Sequence, residues 1–360
     1  HGNVASFWNR NNVYKNLGYQ YFFDASYYDT SGDKATGYGL KDKLLFKNSI
    51  KYLQSLQQPF YAKYITVTNH FPYTLDDEDK DPNFQTTNTG DSNVDNYFVT
   101  AHYLDQSIQE FFNYLQKTGL DKKSIIMIYG DHYGISNSEN TSLASVLGKS
   151  ADDWTDFDNA QLQRVPLMFV IPGTGHGKVY HTYGGEVDVL PTLLHLLGIS
   201  SKRYIQFGTD LFSSKHNQVV AFRNRDFVTP TYTSVGGTIY SNKTGKEAKL
   251  TKKQQEKLKK DQEFVNEELT LSDSLNEKNL LRFYHPKGFK NVNPADYNYS
   301  NGLKRAQRIE KKKGIKSTSI YSENGDRSTV DDYSTDAPEQ NHSSTDSNRI
   351  KITNPDANNK

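Results

Sequence analysis

The sequence predicts an α/β fold in which helices flank a mostly parallel sheet, followed by a small antiparallel sheet, a helix and a disordered tail. Three short runs of aliphatic and aromatic residues, each followed by Gly or polar residues, are typical of buried strands: 60–68, 124–130 and 164–173. Patterns typical of helices lie between and after these runs. Alternation of strand and helix favours parallel strands in a doubly wound sheet.

Two helices accompany these strands. Residues 94–119 place apolar side chains at helical spacing and end at Gly119, which predicts a helix connecting the first two strands. Residues 187–198 follow the third strand and again end at a Gly, with Pro191 near the first turn. Both helices are expected to pack on the sheet.

The pattern changes after about residue 216. The runs QVVAFRNRDFV and TYTSVGGTIYS alternate in polarity, and the second contains a Gly-Gly turn, so they predict a small antiparallel sheet. The charged stretch 246–273 predicts an exposed helix, and the polar composition of 317–360 predicts disorder. We therefore expect three parts: an α/β domain portion at 1–215, a small α+β subdomain at 216–300, and a basic, then low-complexity tail at 301–360.

Composition excludes some classes of protein. The 360 residues suffice for a substantial core, and 43 basic against 42 acidic residues give none of the broad positive field of a nucleic-acid-binding protein. No apolar stretch approaches the length of a membrane span, and the absence of Cys excludes disulfides and thiolate metal sites. The chain starts without Met and inside a motif-like string, which we interpret as the later part of a longer protein.

An acid and an imidazole follow the second predicted strand, in the string IIMIYGDHYG. Ligands of open α/β sheets bind at the carboxyl ends of strands, where Asp131 and His132 are expected. Both side chains can face one ion only if the chain turns at Gly130. Carboxylate and imidazole together suit Mn²⁺, Zn²⁺ or Mg²⁺. The alternative is that Asp131 caps a turn and His132 is an ordinary hydrogen-bonded residue.

Another imidazole follows the first predicted strand. The string TVTNHFPY places His70 on the exit loop, beside the expected position of Asp131. Two histidines at adjacent strand ends favour a ligand-binding role. The alternative is that His70 forms a hydrogen bond within a rigid turn before Pro72.

The opening string SFWNR carries Trp8 and Arg10, a spacing that suits an extended loop holding an indole beside a guanidinium. Arg binds phosphate oxygens in pairs, and a Trp can shield such a contact from water. The alternative is a surface Arg stacked on a Trp at the edge of the core.

A basic cluster lies before the predicted tail. Its members are Lys304, Arg305, Arg308 and Lys311–Lys313. Such a cluster can contact anionic lipid or polymer. More commonly it is only a solvated helix face.

Longer strings together resemble one known family: HGNVASFWNRNNVYKNLGY, FFDASYYD, TVTNHFPY, YGDHYGIS, RVPLMFVIPG, GGEVDVLPTLLHLLGI and HNQVVAFRNRDFVTP. They are similar to the extracellular domains of lipoteichoic acid synthases, polyglycerolphosphate polymerases of the sulfatase-like, alkaline-phosphatase superfamily in Gram-positive bacteria. The resemblance runs from His1 to about residue 300 and makes 1–215 the C-terminal portion of a sulfatase-like catalytic domain.

The resemblance implies an enzyme on the extracellular face of the cell membrane, anchored by upstream helices, with release by proteolysis as a further possibility. Its activity would be transfer of glycerol phosphate from phosphatidylglycerol to a growing polyglycerolphosphate chain, through a Thr nucleophile on Mn²⁺ or Mg²⁺. No nucleic-acid partner is expected.

The resemblance also implies roles for individual residues. Metal ligands would be Asp131 and His132, and the substrate would be bound by His1, Trp8, Arg10 and His70. The family's Glu ligand and Thr nucleophile lie upstream of the motif at which this chain starts. We therefore expect no nucleophile in this chain and no activity from it alone.

Three alternatives remain open. The parent protein can be a primase that adds one glycerol phosphate to a glycolipid, or another phosphotransferase or sulfatase of the superfamily. The chain itself can be a non-catalytic module that binds polyglycerolphosphate through Trp8, Arg10 and His70.

Overall fold

The computed structural model describes residues 1–175 and 177–340. The helices in this part of the chain are α1 (Arg10–Asn16), α2 (Asp42–Leu53), α3 (Ser92–Lys117), α4 (Asp156–Gln161), α5 (Val189–Leu196), α6 (Lys252–Glu277), α7 (Gly302–Lys313) and α8 (Ile320–Glu323). The strands are β1 (Ala35–Thr36), β2 (Gly39–Leu40), β3 (Ile126–Tyr129), β4 (Leu167–Val170), β5 (Val220–Ala221), β6 (Phe227–Val228), β7 (Tyr232–Val235) and β8 (Thr238–Ser241). None of these helices combines the length and apolar character needed to cross a membrane.

Helix α3 is the predicted connecting helix, and its two ends explain its length. The Asp91 side chain accepts hydrogen bonds from the Asn93 and Val94 amides, which caps the start. Gly119 follows the end in the left-handed conformation, with φ of 71°. The prediction of a helix at 94–119 is confirmed, and α5 likewise confirms the helix predicted at 187–198.

The main core lies where α2 packs against α3. Both helices bury apolar faces, and the last described part of the chain completes the cluster. Its buried members are Phe46, Ile50, Leu53, Tyr114, Leu115, Leu120, Ile320 and Tyr333.

Strands β3 and β4 form an antiparallel pair, with Ile126 opposite Val170 and Tyr129 opposite Leu167. The prediction that these two strands are parallel is therefore wrong. The run at 60–68 belongs to no strand in the described structure. The predicted burial of these strands is also wrong in part, since Tyr129, Met168 and Val170 are exposed. Burial, strand direction and pairing all depend on distant parts of the chain.

The predicted antiparallel sheet and charged helix are confirmed. The sheet has the strand order β5-β6-β7-β8, and every neighbouring pair is antiparallel. Helix α6 begins at a capping box made by Thr251 and Gln254 and covers the sheet with the buried side chains of Leu258 and Val265.

The predicted disorder is wrong for residues 317–340. Ile320, Tyr333 and Ala337 are buried in the core, and Glu339 forms an ion pair with Lys41. A mainly polar segment can be ordered when a few well-spaced apolar residues find places in an existing core. The rest of the predicted tail, 341–360, lies outside the described residues.

Candidate active site

The loop that follows β3 approaches neighbouring elements at two glycines. A Cβ at Gly130 would lie 2.8 Å from the Cβ of Val165, and one at Gly134 would lie 2.4 Å from the ring of Tyr97. Any larger residue at either position would clash, so the loop can sit here only with Gly. The backbone bends directly after Gly130, at Asp131 and His132, which agrees with the predicted turn.

Asp131 and His132 converge on one side of this loop. The Oδ1 atom of Asp131 lies 3.7 Å from Nε2 of His132, and both side chains are exposed. The Nδ1 atom of His132 lies 2.7 Å from the carbonyl oxygen of Tyr133, to which it donates when protonated. That tautomer leaves the Nε2 lone pair free, on the side that faces the carboxylate.

His70 lies beside this pair, as the sequence predicts. Its ring centroid is 5.8 Å from that of His132, in an edge-on arrangement. Nδ1 of His70 lies 2.9 Å from the carbonyl oxygen of Phe71, the same kind of contact that Nδ1 of His132 makes with Tyr133. The ring centroid of Tyr38 lies 4.1 Å from that of His70.

Contacts on both sides of His70 hold its segment in place, one with α2 and one with the loop of His132. The buried carboxylate of Asp42 accepts hydrogen bonds from the amides of Val67 (2.9 Å) and Thr68 (3.1 Å), just before His70. The hydroxyl of Tyr73, just after His70, donates to the carbonyl oxygen of Gly134. The position of His70 therefore depends on α2, on which Asp42 is the first residue.

Arg10 and His1 form a second group of candidate residues. Nη1 of Arg10 donates to Nε2 of His1 at 2.6 Å. Partial burial lowers the pKa of Arg10, while the negative charges of Tyr14 and Asp131 oppose this effect. The charge of Asp131 thus acts on the Arg10 guanidinium.

Trp8 does not lie as expected. Instead of an extended loop, residues 7–9 form a short 3₁₀ turn that runs into α1, and the Trp8 side chain is 70% exposed. The ring over which the Arg10 guanidinium lies is that of Phe7, at 5.2 Å. The prediction of an indole beside the guanidinium is wrong: Trp8 and Asn9 adopt left-handed backbone conformations, with φ of 53° and 54°, at a kink before α1, and the indole is exposed.

Glu186 is an acid near the site that the sequence analysis did not select. Partial burial raises its pKa, the charge of Asp131 raises it further, and His132 opposes the shift. The residue lies in the 3₁₀ turn before α5. An acid after two glycines at the start of a predicted helix is the signal that would have identified it.

The donor atoms suit a divalent cation but do not form a complete site. Asp131 offers a carboxylate oxygen and His132 an imidazole nitrogen, which are common ligands of such ions. Within 1–175 and 177–340, no group of three or more His, Asp or Glu side chains is placed to hold a metal. These two residues therefore fit part of a cation site.

Comparisons with known proteins give consistent matches. A protein-family model described as Sulfatase matches residues 1–199. The chain is 53% identical over 300 residues to lipoteichoic acid synthase 2 of Bacillus subtilis (strain 168), covering 83% of this chain and 45% of the relative. It is 46% identical over 304 residues to the lipoteichoic acid synthase of Staphylococcus aureus (strain USA300), covering 84% of this chain and 46% of the relative. The chain thus spans less than half the length of these curated relatives.

Solved structures agree with these matches. The crystal structure of the lipoteichoic acid synthase LtaP from Listeria monocytogenes is 26% identical, with a TM-score of 0.65, and the match covers 76% of this chain and 68% of that chain. A protein of the alkaline phosphatase superfamily from Vibrio parahaemolyticus, 17% identical with a TM-score of 0.56 over 79% of this chain and 65% of that chain, supports the fold alone. The predicted fold class and the resemblance to lipoteichoic acid synthases are confirmed. Because the sulfatase model matches more than half of the 360 residues, the chain belongs to the sulfatase family.

Proposed function

We propose that this chain is part of the catalytic domain of an enzyme that transfers glycerol phosphate from phosphatidylglycerol to a polyglycerolphosphate chain. The observation that carries the proposal is the convergence of His70, Asp131 and His132. High identity to lipoteichoic acid synthases supports it.

Asp131 and His132 would hold a divalent cation, Mn²⁺ or Mg²⁺. When bound, the cation would neutralise phosphate charge and polarise a phosphoryl oxygen. The hydrogen bond at Nδ1 of His132 fixes the ring so that Nε2 is the ligating atom. The remaining ligands are not assigned to residues of this chain.

The other site residues would bind and orient the substrate. Arg10 presents a planar guanidinium that suits two phosphate oxygens, and His1 restrains it through its hydrogen bond. His70, with its free Nε2, would donate to a phosphoryl or glycerol oxygen when protonated there. The exposed indole of Trp8 would cover the apolar edge of the glycerol unit.

Several further features belong to this proposal. The Thr nucleophile would come from a part of the parent protein that this chain does not contain. The enzyme would act at the extracellular face of the membrane of a Gram-positive bacterium. Residues 1–215 would belong to the catalytic domain, and residues 216–300 to the C-terminal subdomain.

The decisive experiment replaces Asp131 or His132 by Ala in the complete parent protein. We expect turnover to fall by at least about 10³-fold, because each change removes one of two assigned cation ligands. Transfer from labelled phosphatidylglycerol measures activity, and titration with MnCl₂ measures cation binding. Asp153→Ala, a change at an exposed acid after β3, is the matched control.

Full activity of the Asp131 or His132 variant after metal depletion would contradict the assignment. The length of the product distinguishes polymerase from primase activity, both of which are compatible with the proposal. Polymers of many units indicate a polymerase, whereas a single added glycerol phosphate indicates a primase.

A further inference from the structure

Helix α7 and the turn after it carry an unusual concentration of positive charge. Residues 304–316 contain seven Lys or Arg and one acid, Glu310, whereas the whole chain has 43 basic and 42 acidic residues. The segment therefore has a local positive field although the chain as a whole is nearly neutral, and the first turns of α6 carry a comparable run of Lys.

The single acid of the segment faces inward. Glu310 accepts hydrogen bonds from the hydroxyls of Ser319 and Ser322, the latter at 3.2 Å. The side chains of Lys304, Arg308 and Lys311–Lys313 are exposed. Positive charge consequently covers the outer side of the helix.

An open cleft lies at the start of this helix. It has a volume of about 440 Å³ and is lined by Asn298, Ser300, Asn301, Lys304, Arg305 and Arg308. Cationic groups bind phosphate oxygens, and amide and hydroxyl groups bind the hydroxyls of a small polyol. The lining therefore suits a glycerophosphate group.

Apolar side chains stand among the cations at the other end of the helix. Ile309 is 37% exposed, and Ile315 is fully exposed in the turn after Lys313. Basic residues interleaved with exposed aliphatic ones are typical of helices that lie on a membrane surface. A soluble polyanion would need the cations but would gain nothing from Ile315, so these two isoleucines favour a lipid surface.

The helix is firmly attached to the segment that leads from α1. The Gly302 amide donates to the Tyr27 hydroxyl at 2.9 Å, and the Arg305 guanidinium donates to the carbonyl oxygen of Gln20. Helix α1 carries Arg10, a residue of the candidate active site. Docking through α7 would thus fix the orientation of the element that carries Arg10.

We propose that Lys304, Arg308, Lys311–Lys313, Ile309 and Ile315, the α7 surface, dock onto an anionic lipid bilayer. The cleft receives a glycerophosphate headgroup, the cations contact neighbouring headgroups, and Ile315 enters the interfacial region. This docking does not require the proposed transfer activity, and binding can be measured without turnover.

The test measures sedimentation of the 360-residue chain with vesicles of phosphatidylglycerol and phosphatidylcholine, or of phosphatidylcholine alone. We expect binding to the anionic vesicles only, with a loss of at least tenfold between 50 and 500 mM NaCl. Lys311→Glu/Lys312→Glu/Lys313→Glu should weaken binding by at least tenfold, and Ile315→Ser by a few fold. The matched control, Lys252→Glu/Lys253→Glu/Lys260→Glu on exposed positions of α6, makes the same change in net charge and should bind almost normally.

Equal binding to both kinds of vesicle, or equal losses in the two triple variants, would overturn the proposal. Binding of soluble polyglycerolphosphate through α7 without binding of vesicles would also overturn the proposal, because the α7 surface would then be a polymer-binding site. The salt comparison uses the unaltered chain, so it decides the question even if a variant folds poorly.

Discussion

Individual side chains at the candidate site are oriented by hydrogen bonds to backbone groups. The Nδ1 atoms of His70 and His132 each lie within hydrogen-bonding distance of the next residue's carbonyl oxygen, which directs both Nε2 atoms outward. Asp42 fixes the segment before His70 from inside the protein. Residues that do not contact the substrate thus determine where the imidazoles lie.

Replacing Asp42 by Ala tests this dependence. The change would leave the buried amides of Val67 and Thr68 without their acceptors, which should cost about 2–4 kcal/mol of stability. We also expect weaker substrate binding in the complete parent protein, because His70 follows this segment directly. Chemical denaturation and transfer kinetics measure the two effects.

Asp42→Asn is the matched variant, since the amide keeps one acceptor oxygen of the same shape. It should lose less stability than Asp42→Ala. Native stability in the Ala variant would show that Asp42 does not hold the segment.

Among the elements, the stretch from α8 to residue 340 joins the core although its composition is polar. Its Tyr333 ring lies 5.8 Å from that of Tyr114, and Glu339 lies 2.6 Å from Nζ of the buried Lys41. This stretch therefore stabilises α2 and α3 and indirectly the loop that carries His70.

Two substitutions of Tyr333 distinguish the contribution of its ring to stability from that of its hydroxyl. The ring is 2% exposed, and the hydroxyl has no hydrogen-bond partner among the described residues. Tyr333→Ala should cost about 3–5 kcal/mol through lost packing, whereas Tyr333→Phe should be neutral or stabilise by about 1 kcal/mol. Thermal unfolding of both variants measures these differences.

Equal destabilisation by Phe and Ala would show that the hydroxyl has a partner in solution. Native stability of the Ala variant would show that this stretch is not part of the folded core.

Across the whole molecule, buried charge is concentrated around Lys41. Its ammonium group contacts Asp76, Asp79 and Glu339, so three carboxylates share one cation. Burial alone would lower the pKa of Lys41, but the hydrogen bonds to these carboxylates raise it well above its usual value. Burial raises the pKa of Asp79 to about 6, and the neighbouring Glu339 contributes to this increase.

The contribution of the buried carboxyls to the stability of the folded chain should therefore fall as pH rises from 5 to 8, while the amino group of His1, whose pKa burial lowers to about 5, acts in the opposite direction. Burial also raises the pKa of Glu110 to about 7, so the native state keeps protons on Asp79 and Glu110 at pH values where the unfolded state has lost them. The contribution is complete below about pH 4 and is lost as pH rises through 6–7, a change of roughly 1–3 kcal/mol. Asp29 affects the stability only at lower pH, because its hydrogen bonds with Lys34 and Ser31 lower its pKa to about 2.

Thermal unfolding at pH 5, 6, 7 and 8 checks this expectation. The Asp79→Asn variant, which cannot titrate at this position, should show a smaller fall. The same dependence of melting temperature on pH in the Asp79→Asn variant and in the unaltered chain would contradict the proposed protonation of Asp79.

The sequence by itself determined the helices, the antiparallel sheet after residue 216 and the polar residues at the strand ends. These features follow from local periodicity, caps and turns, which neighbouring residues encode. Only the tertiary structure decided that β3 and β4 are antiparallel, that residues 317–340 are ordered, that Trp8 turns outward and that Glu186 lies near Asp131. Each of these depends on contacts between residues far apart in the chain, or on competition between a local turn and a distant partner, and no short stretch of sequence records them.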